Sequence, residues 1–310
     1  MSTEYKPNPL RGTLCTLLGG CFWGFSGNCG QYLFNVHGVD PQWLTVVRMI
    51  SAGSIMVLIT LLRNFGAVKA CLSNRRDALT LLAYGVLGLL LSQYTYLEAI
   101  NATNAGTATV LQYIGPVLVM VLVCVTAKRL PKLNEGISIV LVVVGTFLLA
   151  THGNVHTMVL NPEGLFWGLF AACTLVVYTM LPKRIAPKYG AFLVTGFGTL
   201  IGGIAFFAIF HPWPLAIGLP LSGWLGVSGM VILGTVLAYP MYLQGVNDLG
   251  PVKASMLASV EPVSAAVISA LWLGSKFVLP DIVGFACIIA TVFLLAKPEG
   301  DAQKVENTEN

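Results

Sequence analysis

Charge is what this 310-residue chain has least of: 10% of its residues are Asp, Glu, Lys or Arg, against 56% that are apolar. So little polar surface cannot cover a water-soluble globule of this size, and the chain reads as a membrane protein. Histidine is equally scarce. His37, His152, His156 and His211 all fall in or beside loops, so a nucleophile inside an apolar segment has no imidazole to take its proton. That disposes of Gly24-Phe25-Ser26-Gly27, which has the GxSG pattern of intramembrane serine proteases. The seven cysteines, Cys15, Cys21, Cys29, Cys71, Cys124, Cys173 and Cys287, show no CxxC spacing and sit almost wholly in apolar runs, as packing residues rather than disulfides or metal ligands. No GxxxxGK[ST] segment occurs, and the loops are too short for a nucleotidase domain, which excludes ATP as the driving force. No metal or other cofactor is expected.

What the chain has instead is long apolar runs. With about 20 residues needed to cross the hydrocarbon core, ten segments qualify, near 12–33, 42–62, 78–98, 105–126, 135–151, 164–182, 190–210, 222–245, 251–273 and 280–297. Residues 1–11 and 298–310 remain as short polar tails. A net charge of +4 could suggest nucleic acid, but the placement of the cations argues against such a partner. With the N-terminus inside, all but two of the 17 Lys and Arg residues fall in cytoplasmic segments, the exceptions being Lys276 in an outer loop and Arg48 within the second span. That asymmetry fits an even number of spans with both termini cytoplasmic. Arg11 and the apolar run ending at Gly20-Cys21 imitate a lipoprotein cleavage site, yet the run continues past Cys21 to Phe34, so it is read as a span and not as a signal.

The ninth segment carries the most costly residues. Glu261 and Pro262 lie inside a run that should cross the bilayer, where a carboxylate costs about 2.5 to 3.5 kcal/mol and proline strips a carbonyl of its donor. Both are tolerable where neighbouring helices or a wet cavity serve the exposed groups. A shift of 146 positions lays residues 92–150 on 238–296 without a gap: Tyr96 meets Tyr242, Asn101 meets Asn247, Pro116 meets Pro262, and Phe147 to Ala150 repeat as Phe293 to Ala296. This reads as a duplication, with repeats over 12–151 and 164–297.

In the fourth span Thr109, Gln112, Tyr113 and Pro116 follow helical spacing and share a face, which should look inward. The third span is polar for a lipid-facing segment, with Gln93, Tyr94, Thr95 and Tyr96. In the first, Gly20, Gly24, Gly27 and Gln31 lie near one face and read as close packing, with Trp23 and Asn28 flanking it as cavity candidates. Arg48 admits two readings, snorkelling outward or lining a polar path near Glu98. Tyr178 and Tyr239 could stack on a flat substrate or mark the membrane interface. The prolines would kink their helices, and spans five and ten, almost wholly apolar, suit lipid contact or a dimer seam. The expected substrate cavity thus comprises Trp23, Asn28, Arg48, Gln93, Tyr96, Gln112, Tyr113, Tyr178, Tyr239 and Glu261, with Pro116 and Pro262 as kinks.

Five spans per half is an odd number, so the second copy must enter the membrane upside down. Inverted repeats give two similar bundles that can rock about a midplane site. The expected fold is therefore an all-α membrane protein of ten transmembrane helices in two inverted five-helix repeats, and the expected function is secondary transport by alternating access. A facilitator without proton coupling fits the same pattern. A channel would need polar stripes along whole spans, whereas polarity here clusters mid-span; an enzyme would need converging catalytic groups that are missing.

At Phe22-Trp23-Gly24, Arg48, Asn104 to Leu111 with Pro116, and Ala254 to Val263, the chain resembles the EamA-type members of the drug/metabolite transporter superfamily over residues 12–297. The resemblance implies a ten-helix exporter of amino acids, other metabolites or drug-like molecules in the bacterial inner membrane, with spans one to four and six to nine around the cavity and five and ten peripheral. Its partners would be the lipid bilayer, a small-molecule substrate and protons, and it would work as a monomer or homodimer. Gly115 stands where the first copy often has a glutamate, so any scheme with two symmetric carboxylates does not carry over.

Overall fold

The computed structural model describes residues 8–154, 159–211, 218–249, 254 and 257–295. Every regular element among them is helical. The helices are α1 (Pro9–His37), α2 (Pro41–Ser73), α3 (Arg75–Ala102), α4 (Ala105–Thr126), α5 (Leu133–Thr151), α6 (Pro162–Met180), α7 (Ala191–Phe210), α8 (Leu221–Val246, its last segment running Ala238–Leu249), α9 (Val260–Leu273) and α10 (Leu279–Leu295). Among the described residues α2 to α8 are each long and apolar enough to cross a membrane, while α9 and α10 are apolar but shorter.

Local chemistry sets the starts. Asn8, Asp40 and Asn161 each precede a proline and accept a hydrogen bond from a first-turn N–H, so cap and pre-set φ act together at α1, α2 and α6. Asn74 and Asn104 cap α3 and α4 without the proline. Gly38 and Gly274 close α1 and α9 in the left-handed region, at φ of 61° and 68°.

Several helices depart from regularity. α2 is kinked at Asn64, which leaves helical φ/ψ while its side chain accepts from the Ala67 N–H. α3 widens into a π-helical stretch at Tyr84–Leu90 and α8 into another at Gly229–Leu237, positions that the 146-residue shift lays over one another. α4 breaks at Tyr113 and Ile114, and the chain before α9 breaks at Ser259, again corresponding places.

The outside is apolar, with Leu62 78% and Leu271 84% exposed, the reverse of a soluble protein and the surface that hydrocarbon demands. Inside, helices approach on small residues. A Cβ on Gly24 would lie 2.8 Å from the Ala265 nitrogen and 2.9 Å from the Glu261 carbonyl oxygen, so only glycine lets α1 lie against α9 there. Gly145 of α5 and Gly284 of α10 meet the same way, each blocked 2.9 Å from the other's carbonyl oxygen. α5 and α10 thus pack on each other, and residues such as Val140, Val143, Leu279 and Ile282 remain exposed.

Candidate substrate site

The site is built around two buried ionisable side chains, one basic and one acidic. Arg48, on α2, is 4% exposed, and its Nε donates to Thr235 Oγ1 at 3.0 Å. Thr235 lies in the π-helical stretch of α8 and passes its own proton to the Met230 carbonyl five residues back, at 3.2 Å, so its lone pair is left to face the guanidinium. The side chain does not snorkel, and its hydrogen bond goes to α8. Glu98 instead has Tyr94, Asp40 and Glu163 as its electrostatic neighbours.

Glu261 occupies the first turn of α9 and is buried. Its partner is Tyr113, at the break in α4, whose Oη lies 3.1 Å from Glu261 Oε2 and 2.7 Å from the Ala258 carbonyl oxygen. Pro262 explains the second contact. A proline deprives the carbonyl four residues back of its donor, that residue is Ala258, and the Tyr113 hydroxyl supplies the missing bond. Pro262 itself sits in the first turn of α9. The expected kink is therefore a break at Ser259, with the helix starting afresh. Pro116 likewise follows the Tyr113–Ile114 break, and its ring lies outside the described side chains.

No N···O contact within 4.0 Å joins Arg48 and Glu261; each is bonded across the bundle instead, Arg48 to α8 and Glu261 to α4. Tyr96 Oη bonds Thr109 Oγ1 at 2.7 Å, and only a glycine at position 27 leaves room for that hydroxyl. A run of rings from four helices lines the region: Tyr84 stacks on Tyr178 at 6.0 Å, Tyr178 meets Tyr239 edge-on at 6.2 Å, and Trp23 contacts Tyr239 at 5.2 Å and Tyr242 at 5.3 Å. Tyr178 and Tyr239 are thus set inside the bundle with Trp23. Asn28 donates to the Gly24 and Ala265 carbonyls at 2.9 and 3.0 Å, pinning α1 to α9, and its Oδ1 has no partner. Gln93 is buried with neither amide atom bonded, and Gln112 is half-buried beside Tyr113.

Tyr84, Tyr242 and Thr235 complete the region without having been singled out for the cavity. Tyr242 had a signal in its duplicate, Tyr96. Gln31, on the face of close-packing glycines, does more than pack: its Oε1 accepts from the Ala105 N–H at 2.8 Å and from Ser269 Oγ at 2.9 Å, while Nε2 donates to Ser275 Oγ at 3.0 Å. One side chain ties α1 to the start of α4 and the end of α9. At the opposite end of the bundle the closures are ionic. Arg11 binds Asp248 at 2.7 Å, and Asp77 at the start of α3 gathers Lys188 at 2.6 Å, Tyr189 at 2.7 Å and Arg184 at 3.1 Å. The hydrogen bond that Lys188 donates to Asp77 raises its ammonium above the ordinary lysine range. Among the described residues no cluster of His, Cys, Asp or Glu could hold a metal ion.

Apolar helices long enough to span a bilayer, closed around buried ionisable side chains and aromatic rings, fit a multi-pass membrane protein of the transporter class. The model of the EamA-like transporter family matches the chain twice, over residues 10–151 and 162–297, and the chain belongs to that family. It is 34% identical over 286 residues to the "Uncharacterized inner membrane transporter YicL" of Salmonella typhimurium, covering 92% of this chain and 95% of that one. An "Uncharacterized transporter" of Archaeoglobus fulgidus is 24% identical, with 86% and 91% covered. A crystal structure with 16% sequence identity shares the fold at a TM-score of 0.64, over 98% of this chain and 100% of the other.

Proposed function

We propose that the protein is a secondary transporter that exports small metabolites across the bacterial inner membrane by alternating access. In this reading all ten helices cross the membrane, residues 12–151 and 164–297 are inverted repeats, and both polar tails, 1–11 and 298–310, are cytoplasmic. The observation that carries it is the burial of Arg48 and Glu261, one from each half and each hydrogen-bonded to a residue of the other half, Arg48 to Thr235 and Glu261 to Tyr113. Ionisable groups held at such cost in a membrane bundle mark a substrate or ion path. The corresponding π-helical stretches and helix breaks support a common scaffold in the two halves.

The two ends close differently. The Gln31 bonds form the outer seal, and the Arg11–Asp248 and Asp77–Lys188 pairs clamp the cytoplasmic end. Exposing the centre to one side at a time requires these sets to open in turn.

Proton counting at Glu261 suggests the coupling. Tyr113 has a single hydroxyl proton and two acceptors within reach, Ala258 at 2.7 Å and Glu261 at 3.1 Å. With the carboxylate ionised, one acceptor goes unserved; with it protonated, Glu261 donates to Tyr113 Oη and every group is satisfied. Glu261 therefore holds a proton in this closed state and releases it when substrate or water reaches it from the open side. The test is metabolite-resolved efflux from cells overproducing the protein, with and without an imposed pH gradient. Glu261→Gln should retain exchange of substrate down its own gradient and lose the response to pH. An unchanged response to pH removes Glu261 from the coupling.

A further inference from the structure

Gln31 makes three hydrogen bonds and Asn28 two, through its Nδ2. Among the described residues Gln93 is the buried amide with neither atom bonded. It is 4% exposed, and both Nε2 and Oε1 are shut from the surface with no partner, so turning the amide over changes nothing. A buried amide left unpaired destabilises the fold, whereas a methionine of similar shape would fill the place without that penalty. Gln93 lies one helical turn before Tyr96 on α3, and Tyr96 bonds Thr109 of α4 inside the bundle. The unsatisfied donor and acceptor are thus on the buried side of α3, a turn from Tyr96, and not at a lipid-facing position.

We propose that Gln93 is a specificity-determining residue, whose amide pairs with a neutral group on the substrate that donates and accepts a hydrogen bond at once, a carboxamide or a hydroxyl. This rests on the transport reading above and adds to it a chemical feature of the cargo. A group that must satisfy Nε2–H and Oε1 together is best neutral and two-faced. A site built this way discriminates strongly against analogues lacking the group, because they leave the amide unpaired again.

Compounds released by overproducing cells are identified by mass spectrometry and then supplied to proteoliposomes of the unaltered protein and of Gln93→Met. The unfolding temperature of each purified protein is measured without substrate. The expected results are that the exported compounds carry an amide or hydroxyl, that the half-saturating concentration rises about tenfold in the variant, the loss of one such pairing, and that the substrate-free variant unfolds about 2 to 4 °C higher. A lower unfolding temperature makes Gln93 a structural residue and overturns the proposal, as does an unchanged half-saturating concentration. No efflux from the unaltered protein sinks the transport reading itself, whereas normal efflux indifferent to Gln93→Met sinks only the role of Gln93.

Discussion

A single hydroxyl proton shared between two acceptors is the most consequential detail at the scale of residues. Tyr113→Phe removes it, leaving the Ala258 carbonyl unserved and Glu261 without a donor or acceptor. Loss of a buried bond of this kind costs about 1 to 3 kcal/mol, so the variant should unfold at lower temperature in detergent and lose pH-driven efflux together. Thr235→Val should behave similarly, since it leaves a buried guanidinium without the one acceptor that Nε has; hydrogen bonds to charged groups contribute about 1.5 to 3 kcal/mol. Thermal unfolding compared with Thr235→Ser, which keeps the hydroxyl, separates the bond from the packing. The candidate residues were legible because ionisable and amide side chains are conspicuous in apolar runs. Their partners were not. Nothing in Ile232-Leu233-Gly234-Thr235 marks the threonine that meets Arg48, because that meeting depends on how α2 and α8 cross.

Among the helices, the starts could be read from Asn8-Pro9, Asp40-Pro41 and Asn161-Pro162, where cap and proline stand side by side. Breaks were harder to place. Prolines at 116 and 262 pointed to kinks, but the backbone departs from helix before each of them, at Tyr113–Ile114 and Ser259, because the ring clashes with the preceding turn and not the following one. The π-helical stretches carry no periodic signal, since Tyr84 to Leu90 is as apolar as its surroundings. Of the ninth span, expected from residue 251, residues 251–253, 255 and 256 lie outside the described residues, Ala254, Leu257 and Ala258 are helical, and α9 follows from Val260 after the break at Ser259. At this scale Gly24→Val should be among the most damaging substitutions on α1, because the added atoms meet the backbone of α9, which cannot turn aside as a side chain can. Overpacking of this kind costs about 1 to 3 kcal/mol, and unfolding temperature against Gly66→Val, where the added group meets open space, provides the measure.

For the molecule as a whole, hydropathy and the internal duplication carried the argument to a transporter, and the match of one family model to both halves agrees with that class. What the sequence could not convey is how the ends are fastened. The ionic clamp at the end bearing Arg11 has half-exposed cations on buried carboxylates, Asp248 and Asp77, so salt screens it in part; the Gln31 seal is neutral. On the transport reading, rising ionic strength at that end should therefore favour opening there modestly and leave the other end unaffected. Lys188, held above its ordinary range by Asp77, contributes its share fully at neutral pH and loses it only as pH climbs through that raised value.

Alternation between the two ends is the claim on which the rest stands, and a reversible bridge tests it most directly. Cysteines are placed at Gln31 and Ser275, joined by a short cleavable linker, with a reporter cysteine at Tyr239 in a background freed of the native seven. Before bridging, an impermeant thiol reagent should reach the reporter from either face of the membrane; with the bridge closed it should reach it from the cytoplasmic face alone, and reduction should restore both. Access from both faces while the bridge holds, or from neither before it forms, would contradict a chamber that opens to one side at a time.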